Sequence, residues 1–133
     1  MKFSLLITAA PADSYGADTA WQFAEAVLRQ GHTLHRVFFY GDGVYHGNRL
    51  AAPPQDENDM AARWAHLAEQ HDIDLVLCIA SATRRGLLDP DEAARLGKTG
   101  DSVQAGFHLS GLGQWVDAQL TSDRVVHFGS SRG

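Results

Sequence analysis

The chain has 133 residues, of which 44% are apolar and 20% charged, and its formal net charge is −5. That is the size and composition of one globular domain around a single core, and it excludes a disordered chain. No apolar run approaches the ~20 residues that cross a bilayer, and only 11 Lys and Arg are present, too few for the basic face that phosphate binding requires. Neither a membrane span nor direct nucleic-acid binding is expected.

Lys2–Thr8 is a compact apolar run and predicts a first strand. With Met1 it imitates a signal peptide, but its apolar part of about six residues is shorter than the roughly 7–15 of a signal core. The expected location is the cytoplasm, where a lone thiol stays reduced. Asp18–Gln30 places Ala20, Phe23, Ala24, Val27 and Leu28 on one helical face, with Asp18 or Thr19 as cap and Gly31 as stop. Thr33–Phe39 is β-branched and aromatic and predicts a second strand. Tyr40–Asn58 follows as a loop of about nineteen residues, long enough to be functional or to cover an interface. Asp59–Gln70 predicts a helix burying Met60, Trp64, Leu67 and Ala68, and Asp74–Ile79 a third strand. Asp89-Pro90 pairs an N-cap with proline at the first helical position, opening a helix over Pro90–Leu96 that Gly97 ends. Gly106–Leu109 predicts a short strand, Ser110 the cap of a last helix through Leu120, and Arg124–Phe128 a closing strand.

Strand and helix alternate over most of the chain. That order predicts a single α/β domain over residues 1–128, with a mainly parallel sheet of about five strands and helices on both faces. Residues 129–133 read as a flexible tail. The loops Ala9–Ala17 and Tyr40–Asn58 would both leave carboxyl ends of strands, the edge at which open α/β sheets bind ligands.

Cys78 is the sole cysteine, so an internal disulfide, a Cys-x-x-Cys pair and a four-cysteine zinc site are all excluded. Three readings remain: a buried packing residue, a nucleophile, or a carrier of something bound through sulfur. Free cysteine is among the most buried residue types, which favours the first. Position favours the others, because a thiol at a strand end meets backbone N–H groups that favour thiolate, and Arg84 and Arg85 follow closely. Ser81, Arg84 and those amides are candidate stabilisers of a sulfur anion. The two arginines serve equally well as exposed residues before a turn, or as one side of a docking surface.

The remaining motifs are weaker. The seven histidines include no His-Glu-x-x-His and no i, i+4 pair, so no metal site is expected. His46 and His108 are the two placed to approach the thiol. Gly41-Asp42-Gly43-Val44-Tyr45-His46-Gly47 misses dinucleotide spacing by one residue, and no phosphate loop exists. Gly111-Leu112-Gly113 is explained by a Ser110 cap, and Trp21, Trp64 and Trp115 read as core or interface. No cofactor is expected.

Several blocks together resemble the DsrE family of small sulfur-relay proteins, and its TusD-type members in particular. They are Val37-Phe38-Phe39-Tyr40 with Gly43-Val44-Tyr45; Cys78-Ile79-Ala80-Ser81-Ala82-Thr83-Arg84-Arg85-Gly86; Asp89, Glu92, Ala93 and Leu96; Phe107-His108-Leu109-Ser110-Gly111-Leu112-Gly113; and Asp123-Arg124-Val125-Val126. The resemblance implies a DsrEFH-like fold, with Cys78 matching the active cysteine that carries sulfur as a persulfide. It implies TusB-like and TusC-like partners in a dimer of heterotrimers, a TusA-like donor and a TusE-like acceptor, leading to 2-thiolation of the tRNA wobble uridine. A DsrE-type subunit of a sulfur-oxidation relay is the alternative within the family. A non-catalytic assembly subunit, a redox-sensing thiol protein and a flavodoxin-like mononucleotide binder are rivals of other classes.

Overall fold

Five apolar runs form strands: β1 Lys2–Ile7, β2 Thr33–Phe39, β3 Asp74–Cys78, β4 Phe107–Ser110 and β5 Arg124–Phe128. In the computed structural model, which describes residues 1–12 and 15–130, they make one sheet of order β4-β3-β2-β1-β5. Every neighbouring pair is parallel. The parallel order puts the carboxyl ends of all five strands on one edge. Helices α1 Tyr15–Arg29, α2 Met60–His71, α3 Ile79–Arg84, α4 Pro90–Arg95 and α5 Gly113–Thr121 supply the connections.

Side-chain caps open α2 and α4: the Asp89 cap is the one expected, while Asp59, expected as the first residue of its helix, precedes it as the cap. The Asp59 side chain accepts from Ala62 N at the start of α2, and Asp89 accepts from Glu92 N at the start of α4, with Pro90 at the first turn. Four expectations need correction. Helix α1 begins at Tyr15, so Asp18 is a first-turn residue rather than its cap, and its carboxylate instead accepts from Gln22 and Arg63. Ser110 is no cap either. It closes β4, and α5 begins only at Gly113 after Leu112, with no side-chain cap bond. Ile79, expected as strand, opens α3, while the first part of the predicted Tyr40–Asn58 loop is a 3-10 helix over Gly41–Gly47. Part of the Ala9–Ala17 loop and the last three residues of the expected tail lie outside the described residues.

The two sheet faces are covered unequally. On the first face Leu5, Ile7, Val37, Phe39, Leu75, Leu77 and Phe107 pack with Ala20, Ala24 and Val27 of α1 and Trp64 and Leu67 of α2. Burying each such side chain stabilises by about 1.5–3 kcal/mol. On the second face a smaller cluster of Phe38, Val76 and Cys78 is packed by Leu6 and by Trp115 of α5. A register shift between Phe3 and Ser4 of β1, opposite Leu34 and Arg36 of β2, makes this division possible. It sends Leu34 to the first face with Val37 and Phe39, and leaves Arg36 on the second with Phe38.

The 3-10 helix crosses the carboxyl edge of the sheet. Gly43 lies against the Ile7 carbonyl so closely that a Cβ there would overlap it, and a Cβ on Gly47 would meet Leu77 Cδ1 at 2.6 Å. The residues after α4 zip onto the segment that follows this helix. Arg49 N donates to Ser102 O, Gln104 N to Gly47 O, and Arg49 pairs with Asp101 at 3.0 Å. Ser102 fixes that connection, donating to Gly86 O at 2.7 Å and accepting from Leu88 N. No helix among the described residues is long and apolar enough to cross a membrane.

Candidate functional site

Cys78 is the last residue of β3 and the residue before α3, opposite Ser110 at the end of β4. Its alternation with Leu77 turns it to the second face, into the cluster with Phe38 and Val76. It is 2% exposed. The thiol accepts no cap bond from the first turn of α3. Trp115 closes the cluster from above, its ring centroid 6.0 Å from that of Phe38.

Trp115 is held there by charge. Arg36, on the second face one pleat before Phe38, donates to Asp74 Oδ2 at 2.6 Å, to the Gln114 carbonyl at 2.9 Å and to Asp117 Oδ2 at 2.8 Å. Two of these three acceptors belong to α5, and one flanks Trp115. Burial works against the charge on Arg36, but its bonds with Asp74 and Asp117 outweigh it and keep its pKa above the ordinary value. Arg36, and then His35, hold the Asp117 carboxyl below its ordinary value. His35 and His108 flank the pair of acids, 3.6 Å from Asp117 and 3.4 Å from Asp74. Sequence reasoning singled out neither Arg36 nor the acids, because their convergence depends on the β-bulge and on the docking of α5.

The other candidates stand in different relations to the thiol. Ser81 is buried, and its hydroxyl accepts from Gly41 N at 3.0 Å, so it ties α3 to the 3-10 helix. Arg85 donates to Asp42 at 3.0 Å and to the Ser81 carbonyl at 3.1 Å, clamping the same two elements. Arg84 is exposed and makes no hydrogen bond or ion pair among the described residues. Of the two arginines it is the one left free, among the described residues, to meet something outside the chain. His108 shares the second face with Cys78 but sits beside Asp74, at the far end of the short β4 from Ser110. His46 does not approach the thiol. It is fully buried on the first face between Phe39 and Trp64, with Nε2 donating to the Ala9 carbonyl at 3.0 Å. Burial pushes its pKa down to about 4 against that bond.

The two long loops do share the carboxyl edge with Cys78. The cavity they enclose, about 480 Å³, is lined by residues such as Tyr45, Pro53, Asp56 and Met60, and Cys78 does not line it. Among the described residues no group of three or more His, Cys, Asp or Glu gathers into a metal-binding cluster. The chemistry available on the second face is therefore that of one sulfur in an apolar pocket, beside a helix pinned by one arginine.

Residues 1–128 match the DsrE/DsrF-like family. The chain belongs to that family. It is 49% identical over 129 residues to a protein of Allochromatium vinosum named "Putative sulfurtransferase DsrE", a match that covers 97% of this chain and 99% of the relative. The DsrE/DsrF-like fold is also that of the crystal structure of the ychN protein from E. coli, which superposes with a TM-score of 0.76. That likeness covers 96% of this chain and 99% of the other at 19% identity, so it bears on the fold alone.

Proposed function

We propose that this DsrE/DsrF-like protein is a sulfurtransferase subunit that carries sulfur as a persulfide on Cys78. The observation that carries the reading is the placement of the chain's sole thiol at the carboxyl end of an interior strand, in a chain 49% identical to a relative named as a sulfurtransferase. In the loading step Cys78 thiolate attacks the outer sulfur of a donor protein's persulfide. A new S–S bond forms to Cys78, the donor's S–S bond breaks, and its electron pair leaves on the donor cysteine as thiolate. In the discharge step an acceptor thiolate attacks the outer sulfur of Cys78–S–SH, and Cys78 leaves as thiolate. The sulfane sulfur changes owner without net oxidation or reduction, so no outside electron carrier is needed. The chemistry is that of thiol–disulfide exchange, governed by thiolate fraction, leaving group and access.

One cysteine suits this task. A second in the chain would attack the persulfide and discharge it as a disulfide. Exposed Arg84 is the side chain best placed to meet a protein donor or acceptor, while Ser81 and Arg85 shape the turn that follows the thiol. A TusA-like donor, a TusE-like acceptor and TusB-like and TusC-like partners in a heterohexamer fit the scheme, as does a cytoplasmic site of action. Between the two relays, the DsrE designation of the relative favours a sulfur-oxidation relay over 2-thiouridine formation.

Loading Cys78 from a persulfidated donor protein and then adding an acceptor cysteine protein tests the cycle. Sulfur should move quantitatively to the acceptor and return Cys78 to the free thiol. Sulfur that stays on Cys78 against every acceptor thiol would overturn the carrier reading. Deleting the gene and measuring wobble-uridine thiolation separates the pathways, since unchanged thiolation is expected of a sulfur-oxidation relay.

A further inference from the structure

Resting on the assignment of Cys78 as the sulfur carrier, we propose that α5 is a hinged cover over the Cys78 thiol and that Arg36 is the positioning residue that holds it shut. A thiol that is 2% exposed cannot be reached by the cysteine of another protein, because exchange needs in-line approach to the sulfur. Something on the second face must open. The strands cannot yield without breaking the sheet, and the helix packed over this cluster is α5.

Four observations make α5 the movable part. It has nine residues, and Ala118 is the one fully buried among them. A helix that short has little stability of its own, so what holds it is its docking. The outer stripe of Leu112, just before it, and of Val116 and Leu120 within it is 55%, 51% and 81% exposed, so nothing among the described residues clamps it from outside. Gly111 and Gly113 bracket its start. Neither has a positive φ, and a Cβ on either would meet nothing within 4 Å. Neither crowding nor backbone conformation requires glycine there, which leaves freedom of motion as what the pair provides.

The latch is polar and few-pointed. Arg36 reaches α5 through the Gln114 carbonyl and the Asp117 carboxylate, with Asp74 of β3 holding the guanidinium from below. At the other end of the helix the Ser122 hydroxyl meets the buried Ser4 hydroxyl at 2.7 Å. Releasing the Arg36 end swings Trp115 off Phe38 and bares the thiol, while the Ser4–Ser122 end keeps the helix attached. A partner that draws Asp117 away from Arg36 thereby gates sulfur entry.

The test is the rate at which iodoacetamide alkylates Cys78 in the native full-length protein. Arg36→Met should raise the rate about tenfold or more, the equivalent of one charge-assisted hydrogen bond. Asp117→Asn should raise it less, and Arg36→Lys should restore most of the protection. Arg95→Met, on an exposed i, i+3 pair in α4, should leave the rate unchanged. If Arg36→Met does not fold, the double variant Gly111→Ala/Gly113→Ala serves instead, and it should slow alkylation with the unfolding midpoint preserved. Rates indifferent to both the arginine and the glycines overturn the cover, as do rates equal to that of global unfolding. Persulfide loading measured in parallel separates the two proposals. If Arg36→Met speeds alkylation while no variant takes up sulfur, the cover stands and the carrier role falls; loading and alkylation both insensitive to Arg36 remove the cover and leave the carrier.

Discussion

The Ser81 hydroxyl accepts a 3.0 Å hydrogen bond from the Gly41 amide, which joins the helix after the thiol to the 3-10 helix after β2. The bond is part-buried and satisfies the first amide of a segment that crosses the edge of the sheet. Ser81→Ala leaves that donor unpaired, and should cost about 1–2 kcal/mol in urea unfolding. Sulfur loading per folded molecule should change little, because the hydroxyl is committed to the backbone and not to the sulfur.

Arg84 and Arg85 are neighbours with opposite commitments. Arg85 is bonded to Asp42 and the Ser81 carbonyl, whereas Arg84 is exposed and unpaired among the described residues. Arg85→Met should lower the unfolding midpoint. Arg84→Met should shift stability by less than about 0.5 kcal/mol yet slow sulfur transfer from a protein donor, with the rate from a small-molecule persulfide preserved. Second-order transfer rates with the two donors check this.

Gly43 is fixed by contact rather than by conformation, since its Cα faces the Ile7 carbonyl with no room for a methyl. Backbone cannot rotate away as a side chain can. Gly43→Ala should therefore cost at least about 2 kcal/mol and loosen the 3-10 helix, which hydrogen exchange at Val44–Asn48 would register.

His46 sets an acid limit. Its pKa falls from 6.5 to about 4 on folding, so between those values the unfolded chain binds a proton that the folded chain refuses. Stability is intact above pH 6.5 and is lost as pH falls towards about 4, by roughly 3 kcal/mol in total. His46→Leu should flatten this part of the stability–pH curve, at the expense of an unpaired Ala9 carbonyl at neutral pH. Urea midpoints from pH 4 to pH 8 give the comparison.

Much of this architecture is legible in the chain. Thr33–Phe39 and Arg124–Phe128 match their strands residue for residue, because β-branched and aromatic runs ended by turn residues leave little choice. Asp89-Pro90 announces its helix for the same reason of local chemistry. Helix α3 is hidden. Six residues directly after a strand have no room for a cap signal or a helical period, and only the tertiary fit of Ala82 against the first-face core reveals it. The 3-10 helix is masked by Gly41, Gly43 and Gly47, which read as loop but are there for close approach. Ser110 looks like a cap because it precedes a helical pattern, yet pairing with Cys78 continues the strand through it.

The site divides in the same way. Cys78 stands out by being alone, and its place at a strand end follows from the run before it. The surroundings that decide its access do not. Strict alternation along β2 would put Leu34, Arg36 and Phe38 on one face, whereas the bulge opposite Phe3 and Ser4 separates Leu34 from the other two. Arg36 meets Asp74 and Asp117 only because of that shift, across 38 and 81 residues of sequence.

The central claim is that Cys78 is the residue on which sulfur travels. Its most direct test is the intact mass of the native protein after incubation with a persulfidated donor protein, compared with Cys78→Ser. The account predicts a gain of about 32 Da per sulfur on the wild type, removed by reductant, and no gain on the serine variant. An equal gain on both proteins, or none on a wild type whose thiol is open to alkylation, would contradict it.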